Sequence, residues 1–191
     1  MSKKVCFIGH REVLYKQVKE RLSTAIQNEI DSGCRFFTMG THGEFDSLAL
    51  SKCKEFKNTY KDIEIEVVLT SYHKVKNKLL ETYKNKDGEV VLVHENYNYY
   101  DDVKTIIYDI EDIHFKKQIT ESNKKMIDSC DTIICYVDES KTKSGAKTAL
   151  NYAKKKGLQI VNLFDEKDNP TYGMTKEEKE TYLKQFKNNL H

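Results

Sequence analysis

Proline is scarce in this sequence, one residue in 191. Beside abundant Lys, Asn, Ile and Tyr, that scarcity reads as the codon bias of an AT-rich genome and carries no functional message. Paired cysteine motifs are missing as well. The five cysteines (Cys6, Cys34, Cys53, Cys130, Cys135) are odd in number and include no CxxC. Cys6, Cys34 and Cys135 sit in or beside apolar runs. This usage argues against a disulfide framework and against a zinc site, and predicts reduced, mostly buried thiols in a reducing compartment. No stretch approaches the ~20 apolar residues that span a bilayer. The first apolar run is strand-sized, so no signal peptide is expected. Neither sign of charge dominates, with 32 basic against 30 acidic residues and a net charge of +2. That balance speaks against nucleic-acid binding, which leans on many Lys and Arg contacts. Linkers, internal repeats and low-complexity tracts are missing too. The 12 Tyr and 8 Phe exclude wholesale disorder. A single domain over 1–191, soluble and cytoplasmic with no membrane partner, is the expectation.

What is present is an alternation of short apolar runs with helical periodicity. Residues 4–8 predict a first strand. Val13/Leu14, Val18, Leu22, Ala25/Ile26 and Ile30 then recur at helical spacing, and Gly33 suits a left-handed cap. Residues 34–39 predict a second strand and 63–69 a third, with a helix between them carrying Phe45, Leu48, Ala49 and Phe56 inward. From Phe115 the pattern is regular again. A helix with Ile119, Met126 and Ile127 leads to a fourth strand over 131–137. Ser144-Gly145 opens a helix carrying Ala149/Leu150 and Ala153, Gly157 caps it, and 158–164 predict a fifth strand. Thr175-Lys176-Glu177-Glu178 is a capping box opening an amphipathic helix over 175–190, with Tyr182, Leu183 and Phe186 on one side. Residues 73–84 read as helical and 89–93 as strand. The stretch 85–112, with its Tyr97, Tyr99 and Tyr100, reads as an insertion after strand three. Strands joined by single helices imply an α/β fold, its mainly parallel five-stranded sheet covered on both faces, with 3-2-1-4-5 the simplest order.

In such a sheet, ligands bind beyond the carboxyl ends of the strands, where strand order reverses. Here the reversal falls between strands one and four. Three polar loops converge on it: Gly9-His10-Arg11, Gly40 to Asp46, and Asp138 to Gly145. Ser144-Gly145-Ala146-Lys147-Thr148 opens a helix, where free amides and the helix dipole favour phosphate and a glycine permits close approach. The alternative is that Ser144 only caps the helix. Arg11 is placed to clamp a phosphate or carboxylate, or is simply a solvated arginine at a helix start. His10 is a proton carrier, a ligand donor, or a histidine bonded to the neighbouring loop. Glu44 and Asp46 complement a helix dipole, hold ribose hydroxyls, or serve as acid and base. Asn123 interrupts an apolar helical face and needs a partner, in the loops or the ligand. His10, His42, Glu44 and Asp46 match no usual metal spacing, so no metal and no cofactor is expected.

Three segments taken together resemble a known family. They are Cys6-Phe7-Ile8-Gly9-His10-Arg11; Gly40-Thr41-His42-Gly43-Glu44-Phe45-Asp46; and Asn123 with Met126-Ile127 and Ser129-Cys130-Asp131, continued by Ser144-Gly145-Ala146, Tyr152-Ala153 and Ile160-Val161-Asn162-Leu163. The chain resembles the SLOG superfamily, named for the DprA/Smf and Lonely Guy proteins, and within it the small Rossmann-like bacterial and phage members. The resemblance implies a Rossmann-like three-layer α/β/α fold that binds a nucleotide or nucleotide derivative in the crevice. Lonely Guy relatives hydrolyse the N-glycosidic bond of nucleoside monophosphates. Others sense nucleotide signals in phage defence or stress, and DprA binds single-stranded DNA. Relatives are often homodimers.

Two departures shape the expectation. The hydrolases carry Gly-Gly-x-Gly-Thr-x-x-Glu at this helix. Here the matching run is Ser144-Gly145-Ala146-Lys147-Thr148-Ala149-Leu150-Asn151, with Asn151 where the catalytic glutamate would stand. An amide cannot act as that base. Close relatives also tend to have Arg-Asn where this chain has Ser122-Asn123. The expectation is therefore a binding or sensing protein for a nucleotide-type small molecule. Arg11, Ser144, Gly145 and Thr148 would hold phosphate, Glu44 and Asp46 ribose, His10 would stand near the glycosidic region, and Gly9, Gly40, Gly43 and Asn123 complete the expected ligand-binding set. The alternative is a nucleotide N-glycosidase or transferase in which Glu44 or Asp46 is catalytic. DprA-like single-stranded DNA binding is a third reading, with the balanced charge against it.

Overall fold

Strands sheltered on both faces lack the alternation of half-exposed ones, because every side chain meets a covering helix. Residues 5–8 are buried without a break, and so are all five residues of Thr132–Tyr136. In the computed structural model, residues 3–13, 15–69, 81–84, 90–93, 103–108, 110, 112–142, 144–169, 172–175, 177–178 and 180–182 are described. They form β1 (Lys4–Gly9), α1 (Tyr15–Asp31), β2 (Phe36–Met39), α2 (Glu44–Thr59), β3 (Glu64–Leu69), β4 (Glu81–Lys84), β5 (Val90–Val93), β6 (Lys104–Ile107), α3 (Phe115–Asp128), β7 (Thr132–Tyr136), α4 (Gly145–Lys156), β8 (Gln159–Asn162) and a short 3-10 turn, Glu166–Asp168.

The main sheet is parallel throughout, in the order β6-β3-β2-β1-β7-β8. The expected five-strand order lies inside it, and β6 adds a sixth strand at the edge beside β3. The stretch 85–112 is therefore more than an insertion, since 104–107 belong to the sheet. Residues 81–84 depart from the helix read over 73–84. They pair antiparallel with Val90–Val93 as a separate two-stranded sheet, as Thr82 and Tyr83 favour. Residues 71–80 and the tyrosine-rich 94–102 lie outside the described residues.

Alternate residues of β1 serve opposite layers. Val5 and Phe7 pack with α1 and α2 residues such as Leu22, Ile26, Phe45 and Leu48, while Cys6 and Ile8 pack with Met126, Ile127, Leu150 and Ala153 from α3 and α4. This is a three-layer α/β/α arrangement. Every inward residue read for α1 from Val18 to Ile30 is buried. Both predicted glycine caps hold. Gly33 has φ 89° and Gly157 φ 74°, and Cys34 N–H donates to Glu29 O at 2.9 Å and Leu158 N–H to Ala153 O at 3.2 Å, bonds that satisfy carbonyls the helix end leaves open. Four cysteines are buried, Cys130 is partly so, and all five are free thiols. At Thr175 the capping box is reciprocal: Thr175 N–H donates to Glu178 Oε2 at 2.7 Å and Glu178 N–H to Thr175 Oγ1 at 3.3 Å. Tyr182 lies in the described part of that helix, and Leu183 and Phe186 lie outside it. Among the described residues, no helix is long and apolar enough to cross a membrane.

Candidate functional site

From β1 the chain runs through α1 to β2 on one side, and from β7 through α4 to β8 on the other. The neighbouring strands β1 and β7 therefore send their loops apart, which opens a crevice at their carboxyl ends. Its walls are the loop after β1, the loop after β2, and the loop from Val137 to Ser144 that leads into α4.

His10 joins two of these walls. Its backbone N–H donates to Tyr136 O at 3.2 Å. Its Nε2 accepts from the Asp138 amide at 2.8 Å, and its Nδ1 lies 3.4 Å from Ser144 Oγ. An Nε2 that accepts is unprotonated, so the proton sits on Nδ1 and is donated to Ser144. Burial first, then the Lys141 ammonium, holds the ring below its ordinary value of 6.5, against the opposing pull of Asp138. His10 is thus a neutral imidazole engaged at both nitrogens. Asp138 turns back on its own loop, its Oδ1 accepting from the Ser140 amide at 2.9 Å and hydroxyl at 2.6 Å. Burial, the largest influence, would raise that carboxyl, but the two Ser140 bonds with the nearby Lys141 and His10 together outweigh it and the net shift is downward.

The second loop meets the first at its backbone. Glu44 N–H donates to Arg11 O at 2.8 Å, and Val13 N–H donates to Glu44 Oε2 at 2.8 Å. A Cβ on Gly43 would lie 3.0 Å from Arg11 Cα and 3.1 Å from His10 O, so the glycine permits this contact. A Cβ on Gly9 would lie 2.4 Å from Cγ of the buried Phe45 ring. On Gly40 it would lie 3.1 Å from Asp46 Oδ2. The space beside these three glycines is taken by the protein itself. Asp46 sits in the first turn of α2, whose cap, Gly43, has no side chain to bond the free amides. Its Oδ2 accepts from His42 N–H at 2.9 Å instead. Burial nevertheless dominates and pushes the Asp46 carboxyl up to about 6. The Arg11 side chain is exposed.

Gly145 differs from the other three. A Cβ there would meet nothing within 4 Å. Ser144 caps α4 by accepting from Lys147 N–H at 3.3 Å, so its capping role and its contact with His10 coexist. Thr148 is exposed and turns its hydroxyl back to Ser144 O at 3.0 Å. The amides of Gly145 and Ala146 receive no acceptor among the described residues, as the first turn of a helix leaves them. Asn123 is half-buried on α3 beside the buried Ser122 and takes no part in the bonds joining the three loops. Asn151 is exposed on α4. Among the described residues, no three His, Cys, Asp or Glu side chains are grouped as metal ligands.

Sequence reasoning missed the other flank of the third loop. A groove of about 550 Å³ lies beyond the ends of β7 and β8, lined by Asp138 to Ser140, Asn162, Phe164, Glu166 and Tyr172 among others. Asn162 extends the strand pairing with its amide, accepting from Val137 N–H at 3.1 Å and donating to Val137 O at 2.9 Å. Behind the groove, Tyr136 stacks on Phe45 at 6.1 Å and meets the edge of Phe164 at 5.4 Å. Burial, then the Asp168 carboxylate, pushes the Tyr136 phenol up to about 12. Asp168 is itself paired with Arg21 of α1 at 2.6 Å. A lone Asn inside the apolar run 158–164 was the one signal in the sequence that pointed here.

No curated protein matches the chain. The family model described as the YspA SLOG family matches residues 2–168, from before β1 to the end of the 3-10 turn, and so takes in all three loops of the crevice. With most of its length matched, and with a parallel α/β sheet whose order reverses between β1 and β7, the chain belongs to the YspA SLOG family.

Proposed function

We propose that this protein binds a nucleotide or nucleotide-derived small molecule in the crevice between β1 and β7, with its phosphate at the start of α4. The observation that carries this reading is the contrast among the crevice glycines. Gly9, Gly40 and Gly43 are closed off by Phe45, Asp46 and the first loop, whereas Gly145 faces open space at a helix start whose first two amides have no acceptor among the described residues. Such a position attracts an anion through the amides and the helix dipole together. His10 fixes Ser144 and so fixes the helix start. Arg11 is exposed on the opposite wall and would supply a guanidinium. Family membership agrees with a nucleotide-related role.

A panel of nucleoside monophosphates, cyclic nucleotides and NAD-derived compounds tests this by thermal shift and chromatography. A true ligand at about a hundred times its Kd stabilises by roughly 2.7 kcal/mol, or about 5–10 °C for a domain of this size. Gly145→Val and Arg11→Ala should each weaken that ligand about tenfold or more while the ligand-free melting temperature stays within about 2 °C. Absence of a shift across the panel contradicts the reading.

One observation favours a second reading, cleavage or transfer at the N-glycosidic bond. A carboxyl at about 6, as in Asp46, lies in the range useful for proton transfer near neutral pH. Base release in the same chromatograms, lost on Asp46→Asn, would establish it. Under the preferred reading the nucleotides are recovered intact.

A further inference from the structure

We infer that the groove beyond β7 and β8 is the base subsite of this ligand and that it selects bases carrying an exocyclic amino group. The inference rests on the nucleotide reading and adds to it which base is taken. The groove and the crevice share the Asp138 loop as a common wall: Ser144 touches His10, His10 accepts from the Asp138 amide, and Asp138 lines the groove. A molecule anchored at Gly145 therefore has this groove on the far side of the Asp138 loop, within reach of a base that extends past that loop.

The lining chemistry is one-sided. It includes the carboxylates of Asp138, Glu139 and Glu166, and no Lys or Arg among its described members. Glu139 is already engaged with Lys154 at 2.6 Å, and one oxygen of Asp138 is held by Ser140. Glu166 is exposed and offers its carboxylate to the groove. Carboxylates repel a second phosphate and accept from N–H donors, so the groove fits the donor-bearing, uncharged end of a nucleotide. Two aromatic rings supply the flat surface. Phe164 is held by Tyr136, and Tyr172 is 54% exposed, unusual for so large a ring. An exposed ring at a groove edge suits stacking on a base. A volume near 550 Å³ accommodates a purine.

The test uses two matched pairs of 5′-monophosphates, AMP against IMP and CMP against UMP. Each pair exchanges an amino group for a carbonyl and the adjoining ring nitrogen from acceptor to N–H, so that a carboxylate placed at the exocyclic position finds a donor only in AMP and CMP. Titration calorimetry on the full chain should show AMP and CMP binding about tenfold or more tighter than their partners. Glu166→Gln should erase most of that ratio. Tyr172→Ala should weaken AMP about tenfold while leaving inorganic phosphate unchanged. Both side chains are exposed, and an unchanged melting temperature checks that the variants fold. Equal binding within each pair, or a preference that survives both substitutions, overturns the base subsite and leaves the nucleotide reading standing. Failure of all four nucleotides to bind at millimolar concentration overturns both.

Discussion

Gly9→Ala should cost about 3 kcal/mol or more and lower the melting temperature by roughly 6–12 °C. The added Cβ would lie 2.4 Å from Phe45 Cγ, where carbon atoms normally stay 3.5–4 Å apart. Phe45 cannot yield cheaply. It is fully buried and stacked at 6.1 Å on Tyr136, which is itself packed on Phe164. The strain is steric, because Gly9 is not among the glycines with positive φ. Two controls isolate this cause in thermal denaturation. Gly145→Ala, whose Cβ meets nothing within 4 Å, should leave the melting temperature within about 1 °C. Gly9→Ala should also cost less in a Phe45→Ala background, which removes Cγ and Cδ1, two of the three atoms that crowd the new Cβ, with a coupling of about 0.5–3 kcal/mol. Equal effects of Gly9→Ala and Gly145→Ala would contradict this account of the first loop.

The second large effect is a pair of opposed pH dependences across the crevice. Asp46 is raised in the fold from 3.8 to about 6. Between those values the folded chain holds a proton that the unfolded chain has released, so stability falls as pH rises through the window. The size is on the order of 2–3 kcal/mol. His10 is lowered from 6.5 by burial and then by Lys141. Its contribution is complete above 6.5 and is lost as pH falls, because protonation would take Nε2 away from the Asp138 amide. Acid thus strengthens the fold at one wall and weakens it at the other. Asp46→Asn should unmask the histidine: the variant gains stability at neutral pH and becomes more acid-sensitive than the parent. His10→Gln, which keeps an acceptor for Asp138, should unmask the aspartate, so that stability rises as pH is lowered from 6 to 4. Urea denaturation at half-unit pH steps reads both slopes, and parallel profiles for the three proteins would contradict the assignment.

Elements sheltered on both faces were legible in the sequence because burial leaves them uniformly apolar. β1, β7 and the inward faces of α1 and α4 fall where periodicity put them, and Gly33 and Gly157 end their helices as read. β6 was illegible because this edge strand opens on polar, exposed residues. Its Lys104 and Thr105 are exposed, and Lys104 pairs with Glu66 at 2.7 Å, so the run looks like polar loop. The crevice was legible as topology but not in its contacts. His10 bonds residues 128 and 134 positions away, and no local pattern reports such partners. The same holds for Gly9, whose need for a small residue comes from a phenylalanine on the next helix. The groove residues after β8 were missed because Phe164, Glu166 and Tyr172 form no spaced motif and meet only through the turn at Glu166–Asp168.

The most direct measurement is amide spectroscopy of the ¹⁵N-labelled chain titrated with AMP. If the phosphate sits at the start of α4, the Gly145 and Ala146 amides move downfield first and furthest, and inorganic phosphate moves the same two. Saturable shifts that leave Gly145 and Ala146 in place, or a spectrum unchanged at millimolar nucleotide, would contradict the account.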